Sequence, residues 1–263
     1  MHDLILESLL DLEREDDVRI IYACESGSRA WGFPSVDSDY DVRFLYVHSL
    51  DWYFSIDVER KDDVIERPIE GKLDISGWDL RKALKLFRKS NPPLLEWISS
   101  PVVYLERIAA REKLKRLLPD YYSPAACAYH YLNMARNNYK EYLTREEVWV
   151  KKYFYVLRPL LAIRWIEQQR GIVPMEFGEL MATISDRRSL TLAINSLLER
   201  KKGGEELDRG PRIPEISDFI DSEIDRLEKM KVDAGAPPAA VLERLDSVFR
   251  NMVNESWGLP AKA

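Results

Sequence analysis

Apolar and polar positions change their rhythm partway along this chain. Leu4, Ile5, Leu9 and Leu12 recur at near-helical spacing, so about 2–15 is predicted as a helix. Val18 to Cys24 is β-branched and apolar and reads as a buried strand. Ser26 to Ala30 turns the chain into a short helix, Phe33-Pro34-Ser35 ends it, and a second strand is expected at about 40–48. Asp63 to Pro68 and Lys72 to Gly77 flank Glu70-Gly71 as the two arms of a hairpin. Asp79 is placed to cap a helix carrying Leu80, Ala83, Leu84 and Phe87, which Asn91-Pro92-Pro93 breaks. A short helix at Leu94 to Trp97 and an extended piece at Pro101 to Leu105 complete this part. Beyond about residue 105 strand-like alternation gives way to helical periodicity. Helices are predicted near 107–118, 124–142, 146–170, 177–184, 187–201, 214–232 and 238–256, with breaks that include Gly171 to Pro174 and Gly235 to Pro238. Gly203 to Arg212, charged and glycine-containing, reads as a mobile loop. The pattern implies an α/β (α+β) domain with a mixed sheet over 1–105 and an all-helical domain over 106–263.

Composition narrows the class. With 263 residues and 46% hydrophobic content the chain can hold one large domain or two small ones around a packed core. A formal charge of −6 excludes a generally basic nucleic-acid coat, though not a local basic groove. Cys24 and Cys127 stand far apart without metal-ligand spacing and read as buried free thiols. The first residues carry no basic segment followed by a long apolar run, and no stretch has the uncharged length of a membrane span. A soluble, cytoplasmic protein is expected.

The chemistry concentrates in Gly27-Ser28-Arg29-Ala30-Trp31-Gly32-Phe33 and the following Asp39-Tyr40-Asp41. Alternate residues of a strand share a face, so Asp39 and Asp41 can aim two carboxylates at one point. Two such groups repel unless a cation or protons neutralise them, and magnesium suits carboxylates and substrate phosphates. Gly27 allows close approach of backbone to a phosphate, and Ser28 can donate its hydroxyl to the same group. Arg29 suits a phosphate or a surface pair with Asp37. Asp74, between Leu73 and Ile75, fits a strand with one face on a core; Asp57, Asp62, Asp63 and Asp79 compete as a third acid. On the predicted helix 146–170, Lys151, Tyr155 and Arg158 share a face at i, i+4 and i+7, with Lys152 at its edge. That face suits phosphates, or is a solvated face paired with Glu146 and Glu147.

The segment resembles the DNA polymerase beta superfamily of nucleotidyltransferases, whose signature is Gly-Ser, a spacer of about ten residues, then Asp-x-Asp on a strand and a later third carboxylate. A closer resemblance is to bacterial predicted nucleotidyltransferases with the extended Gly-Ser-Arg-Ala-Trp-Gly-Phe form, which include the RNA-ligase-associated, polymerase-beta-like proteins of RNA repair operons. Leu73 to Lys82, Asn91 to Trp97 and Lys151 to Leu161 also look like that family, so the resemblance runs from about residue 18 to at least 170. It implies Asp39, Asp41 and Asp74 as catalytic and metal-binding acids for magnesium or manganese. Gly27, Ser28, Arg29, Lys151, Lys152, Tyr155 and Arg158 are then candidates for holding the nucleotide. The implied reaction moves an NMP from an NTP to a hydroxyl, with an RNA end as one acceptor and no membrane partner. A non-catalytic nucleotide-binding or antitoxin-like module and a protein AMP transferase are the alternatives.

Overall fold

The computed structural model describes residues 1–205, 207–229 and 241–259. Its chain divides into two compact units. One takes Met1–Gly27, Asp39–Tyr122 and the C-terminal segment; the other takes Ser28–Ser38 and the segment that begins at Ser123. The boundary expected at 105/106 thus falls at 122/123. The last helix, Val241–Ser256, returns to the first unit, and the loop between Gly27 and Asp39 belongs to the second.

The first unit is built on five strands: β1 (Arg19–Glu25), β2 (Tyr40–Val47), β3 (Val64–Glu66), β4 (Leu73–Asp79) and β5 (Val103–Glu106). They lie in the order β3-β4-β2-β1-β5. All neighbours are antiparallel except β2 and β4, which run parallel, so the fold is mixed α+β as the hydrophobic pattern implied. Val42, Phe44, Tyr46 and Ile75 face a core closed by Ile5, Leu9 and Leu12 of the helix His2–Glu15. That helix is tied to β1 through the buried Glu13, which accepts from the N–H of Ile20 at 2.6 Å and from the Arg107 guanidinium. On the opposite face Trp78 stacks on Trp97 of the helix Pro92–Ser99, with ring centroids 3.9 Å apart.

Asp79 ends β4 and caps the helix Leu80–Arg88, its carboxylate accepting from the Arg81 N–H at 2.8 Å and from the Tyr53 hydroxyl at 2.5 Å. The residue is fully buried, and burial pushes its carboxyl from 3.8 up to about 6 despite these hydrogen bonds. A carboxyl that holds its proton more tightly when folded contributes stability below its unfolded pKa. That contribution is lost as pH rises through the folded value. Asp79→Asn keeps a capping oxygen without the charge, so its stability relative to the wild type should rise by roughly 2 kcal/mol between pH 4 and pH 7. Urea unfolding at both pH values checks this; a difference that does not move with pH would contradict it.

The second unit is mostly helical. Pro124–Tyr142 begins and ends where the periodicity placed it, with Ser123 as its cap, accepting from the Ala126 N–H at 3.2 Å. It packs on Tyr153–Glu167, and Phe177–Leu180, Arg188–Lys202 and Pro214–Lys229 complete the group. Phe33 packs against Phe154 and Phe177, with centroids 4.8 and 5.4 Å away, which fixes the Ser28–Ser38 loop in this unit.

The expected helix 146–170 does not start at 146. Glu147–Trp149 forms a strand, β6, antiparallel to β7 (Arg209–Pro211), and Val150–Lys152 is a 3-10 turn before the helix begins at Tyr153. The stretch read as a mobile loop from Gly203 to Arg212 therefore supplies a strand, with Glu206 outside the described residues. Residues 230–232 and 238–240 of the expected last helices, and the Gly235 to Pro238 break, also lie outside them. Cys24 and Cys127 are buried free thiols, as expected. No helix among the described residues is long and apolar enough to cross a membrane.

Candidate active site

Strand register decides which side chains of the first unit's sheet meet. Asp41 on β2 stands directly opposite Asp74 on the parallel β4, and Val42 and Ile75, next along each strand, point to the opposite, buried face. The two carboxylates are therefore neighbours on one side of the sheet. Arg43, two residues beyond Asp41, occupies the same side. Its guanidinium donates to Asp74 Oδ2 at 2.8 Å, to the Asp74 carbonyl at 3.1 Å and, more weakly, to Asp41 Oδ1 at 3.4 Å. Its side chain is only 19% exposed, and it acts as a counter-ion between the two acids.

Gly27 lies against Asp41. A Cβ there would fall 2.0 Å from Asp41 Oδ2, and its φ of +58° lies in the left-handed region. The missing side chain thus lets the Asp41 carboxylate lie directly against the backbone of Gly27. The neighbouring backbone is fixed: the Ser26 N–H donates to the Asp41 carbonyl at 2.8 Å, and the Asp41 N–H donates to Glu25 Oε1 at 2.8 Å. Glu25 is itself fully buried, with the Tyr104 hydroxyl donating to its other oxygen. Gly27→Ala should cost about 1–2 kcal/mol from the left-handed backbone alone and more from displacing Asp41. The melting temperature should drop; an unchanged value would show that nothing is held against Gly27.

Asp39 is exposed and precedes β2 by one residue. Among the described residues no three His, Cys, Asp or Glu side chains gather closely enough to hold a metal ion. The donors are nevertheless of the right type for a hard divalent cation, since Asp39, Asp41 and Asp74 offer only carboxylate oxygens. Arg43 supplies positive charge to two of them, and one, Asp41, lies directly against Gly27.

In the second unit, Ser28 and Arg29 belong to a loop closed by Ser38. The Ser38 hydroxyl takes the Ser35 N–H at 2.8 Å and meets the Ser28 hydroxyl at 3.2 Å; its carbonyl accepts from Arg29 at 2.9 Å.

The pattern of matches to known proteins now has a structural frame. The model of the RlaP family, described as the RNA repair pathway DNA polymerase beta family, covers residues 1–251. The chain belongs to this family. An uncharacterized protein of Bacillus subtilis (strain 168), YcgL, is 51% identical over 257 residues, 98% of each chain. A solved nucleotidyltransferase-like protein from Exiguobacterium sibiricum 255-15 aligns over 90% of this chain and 84% of its own at 13% identity, with a TM-score of 0.27.

The sequence singled out Asp39, Asp41 and Asp74, and the structure sets Asp41 and Asp74 side by side. Arg43 and Glu25 were not singled out. The signal for Arg43 was its place on the same strand face as Asp41, two positions on. Glu25 carried none beyond being an acid that ends an apolar run. The helical-unit candidates separate. Lys151 lies in the 3-10 turn and not on the helix, so it, Tyr155 and Arg158 do not form one helical face. Tyr155 is 44% exposed, whereas Arg158 is 1% exposed, donating to the carbonyls of Pro174 and Met175 and lying over the Trp31 ring.

Proposed function

We propose that this protein is a nucleotidyltransferase that moves an NMP from an NTP to a hydroxyl acceptor, with an RNA end as the acceptor class. The observation that supports it most is the in-register pair Asp41 and Asp74, with the Asp41 carboxylate seated directly against Gly27. In the reaction, an acceptor oxygen forms a bond to the α-phosphorus, the bond from that phosphorus to the bridging oxygen breaks, and pyrophosphate leaves. Asp74, facing the same side as Asp41, takes the hydroxyl proton. Gly27, without a Cβ, would admit the phosphates close to the backbone. Asp39, Asp41 and Asp74 would hold magnesium or manganese, which when bound would neutralise the triphosphate and lower the pKa of the attacking hydroxyl.

Arg43 on both acids favours a second reading, a nucleotide-binding module without turnover. One assay separates the readings. The protein is incubated with magnesium and NTPs labelled at the α- or the γ-phosphate, with RNA, protein or no acceptor. Nucleotidyl transfer puts only the α-label on an acceptor and releases labelled pyrophosphate from the γ-labelled NTP. Label on protein alone would point to AMP transfer to a partner, and bound but unconsumed NTP to the non-catalytic module.

A further inference from the structure

In the second unit Lys151, Lys152, Lys201 and Arg209 stand among aromatic rings. They have no carboxylate within ion-pair distance among the described residues. Their sequence neighbours do: Arg200, Lys202 and Arg212 pair with Glu205, Glu199 and Asp221. Burial, and then the charge of Lys151, holds the amines of Lys152 and Lys201 below the usual lysine range. Lys151 is thus close enough to act on both.

Aromatic rings are interleaved with the cations. Lys152 Nζ lies 4.4 Å from the ring centre of Tyr142 and 4.5 Å from that of Tyr155, which is 44% exposed. Lys201 lies 5.9 Å from the Phe33 ring. Trp149 stands opposite Arg209 across β6 and β7, with Arg209 5.1 Å and Lys151 5.9 Å from its ring. A basic surface with aromatic faces between its charges is what a flexible polyanion with stackable bases requires: the cations take phosphates and the rings take bases.

We infer that this face, with Lys151, Lys152, Lys201 and Arg209 around Trp149 and Tyr155, is the seat for a single-stranded RNA. The nucleotidyl-transfer reading supplies only the identity of that strand as the acceptor. The phosphate-binding chemistry would also suit the triphosphate of an NTP, so the test carries both ligands.

The experiment is a fluorescence-anisotropy titration of the full chain with a labelled single-stranded RNA oligonucleotide across a salt series, alongside NTP binding by calorimetry. The triple variant Lys151→Gln, Lys152→Gln, Lys201→Gln should bind RNA at least tenfold more weakly. Its salt slope should be shallower by about 2, from roughly 0.7 per lost phosphate contact on a single strand. Trp149→Ala should weaken binding, and Lys89→Gln, one exposed cation of the first unit, should leave it unchanged. Lys151→Gln alone should not lower the melting temperature, because it removes a repelling charge, yet should make the slope shallower by about 0.7. That single variant decides the matter if the triple does not fold. RNA binding by the variants at wild-type strength would overturn the inference. So would lost NTP affinity with RNA binding intact, which would assign the face to the triphosphate. A wild type that binds RNA through these residues but transfers no label would contradict the transferase reading and leave the RNA face standing.

Discussion

Asp41→Asn is expected to lower nucleotidyl transfer more than about 100-fold, the scale lost when even a supporting residue of a metal site is removed. The substitution retains the shape of the side chain and its backbone bonds to Glu25 and Ser26, and removes one charge from the Asp41–Asp74 pair. Its contact with Arg43 is long, at 3.4 Å, and partly exposed, so stability should change by less than about 1 kcal/mol. Label transfer and thermal unfolding on the same preparation test this. A folded variant with wild-type turnover would remove Asp41 from the chemistry.

Arg43→Met is expected to act on stability and on the response to metal. Arg43 holds two carboxylates that its loss would leave facing each other across parallel strands. Charged hydrogen bonds of this kind are worth about 2 kcal/mol each when their partners are left behind, so the melting temperature in chelator should fall. Magnesium should then raise it more than it raises that of the wild type, because the ion can supply the charge that Arg43 did. The readout is the difference in melting temperature with and without magnesium. An equal difference in both proteins would show that Arg43 does not compete for the acids; a variant unaffected in chelator would show that it does not neutralise them either.

Local signals in the sequence were sufficient where neighbouring residues decide the structure. The helix His2–Glu15, the Asp79 cap, the Pro124–Tyr142 helix and the strands carrying Asp41 and Asp74 each follow from periodicity or capping chemistry within a few residues. What was not legible depends on distant partners. Glu147–Trp149 continues a helical pattern, but its backbone pairs with Arg209–Pro211 some sixty residues on, and that pairing overrides propensity. The same pairing moved Lys151 off the helix that was to align it with Tyr155 and Arg158. Arg158 looked like a surface cation, yet carbonyls from Pro174 and Met175 and the Trp31 ring satisfy it in the interior. The parallel alignment that sets Asp41 beside Asp74, and puts Arg43 on both, is likewise a matter of register between strands. The acids could be named from the sequence, whereas their counter-ion needed the sheet.

The central claim is that the face carrying Asp41 and Asp74 joins a nucleoside monophosphate to a hydroxyl. The most direct measurement is the mass of a synthetic single-stranded RNA with free hydroxyl ends after incubation with the full chain, magnesium and each NTP in turn. The account predicts an increase by one or more nucleotide residues with at least one NTP, no increase in chelator, and none with Asp41→Asn. An RNA of unchanged mass beside folded protein and intact NTP, for all the common nucleotides, would contradict it.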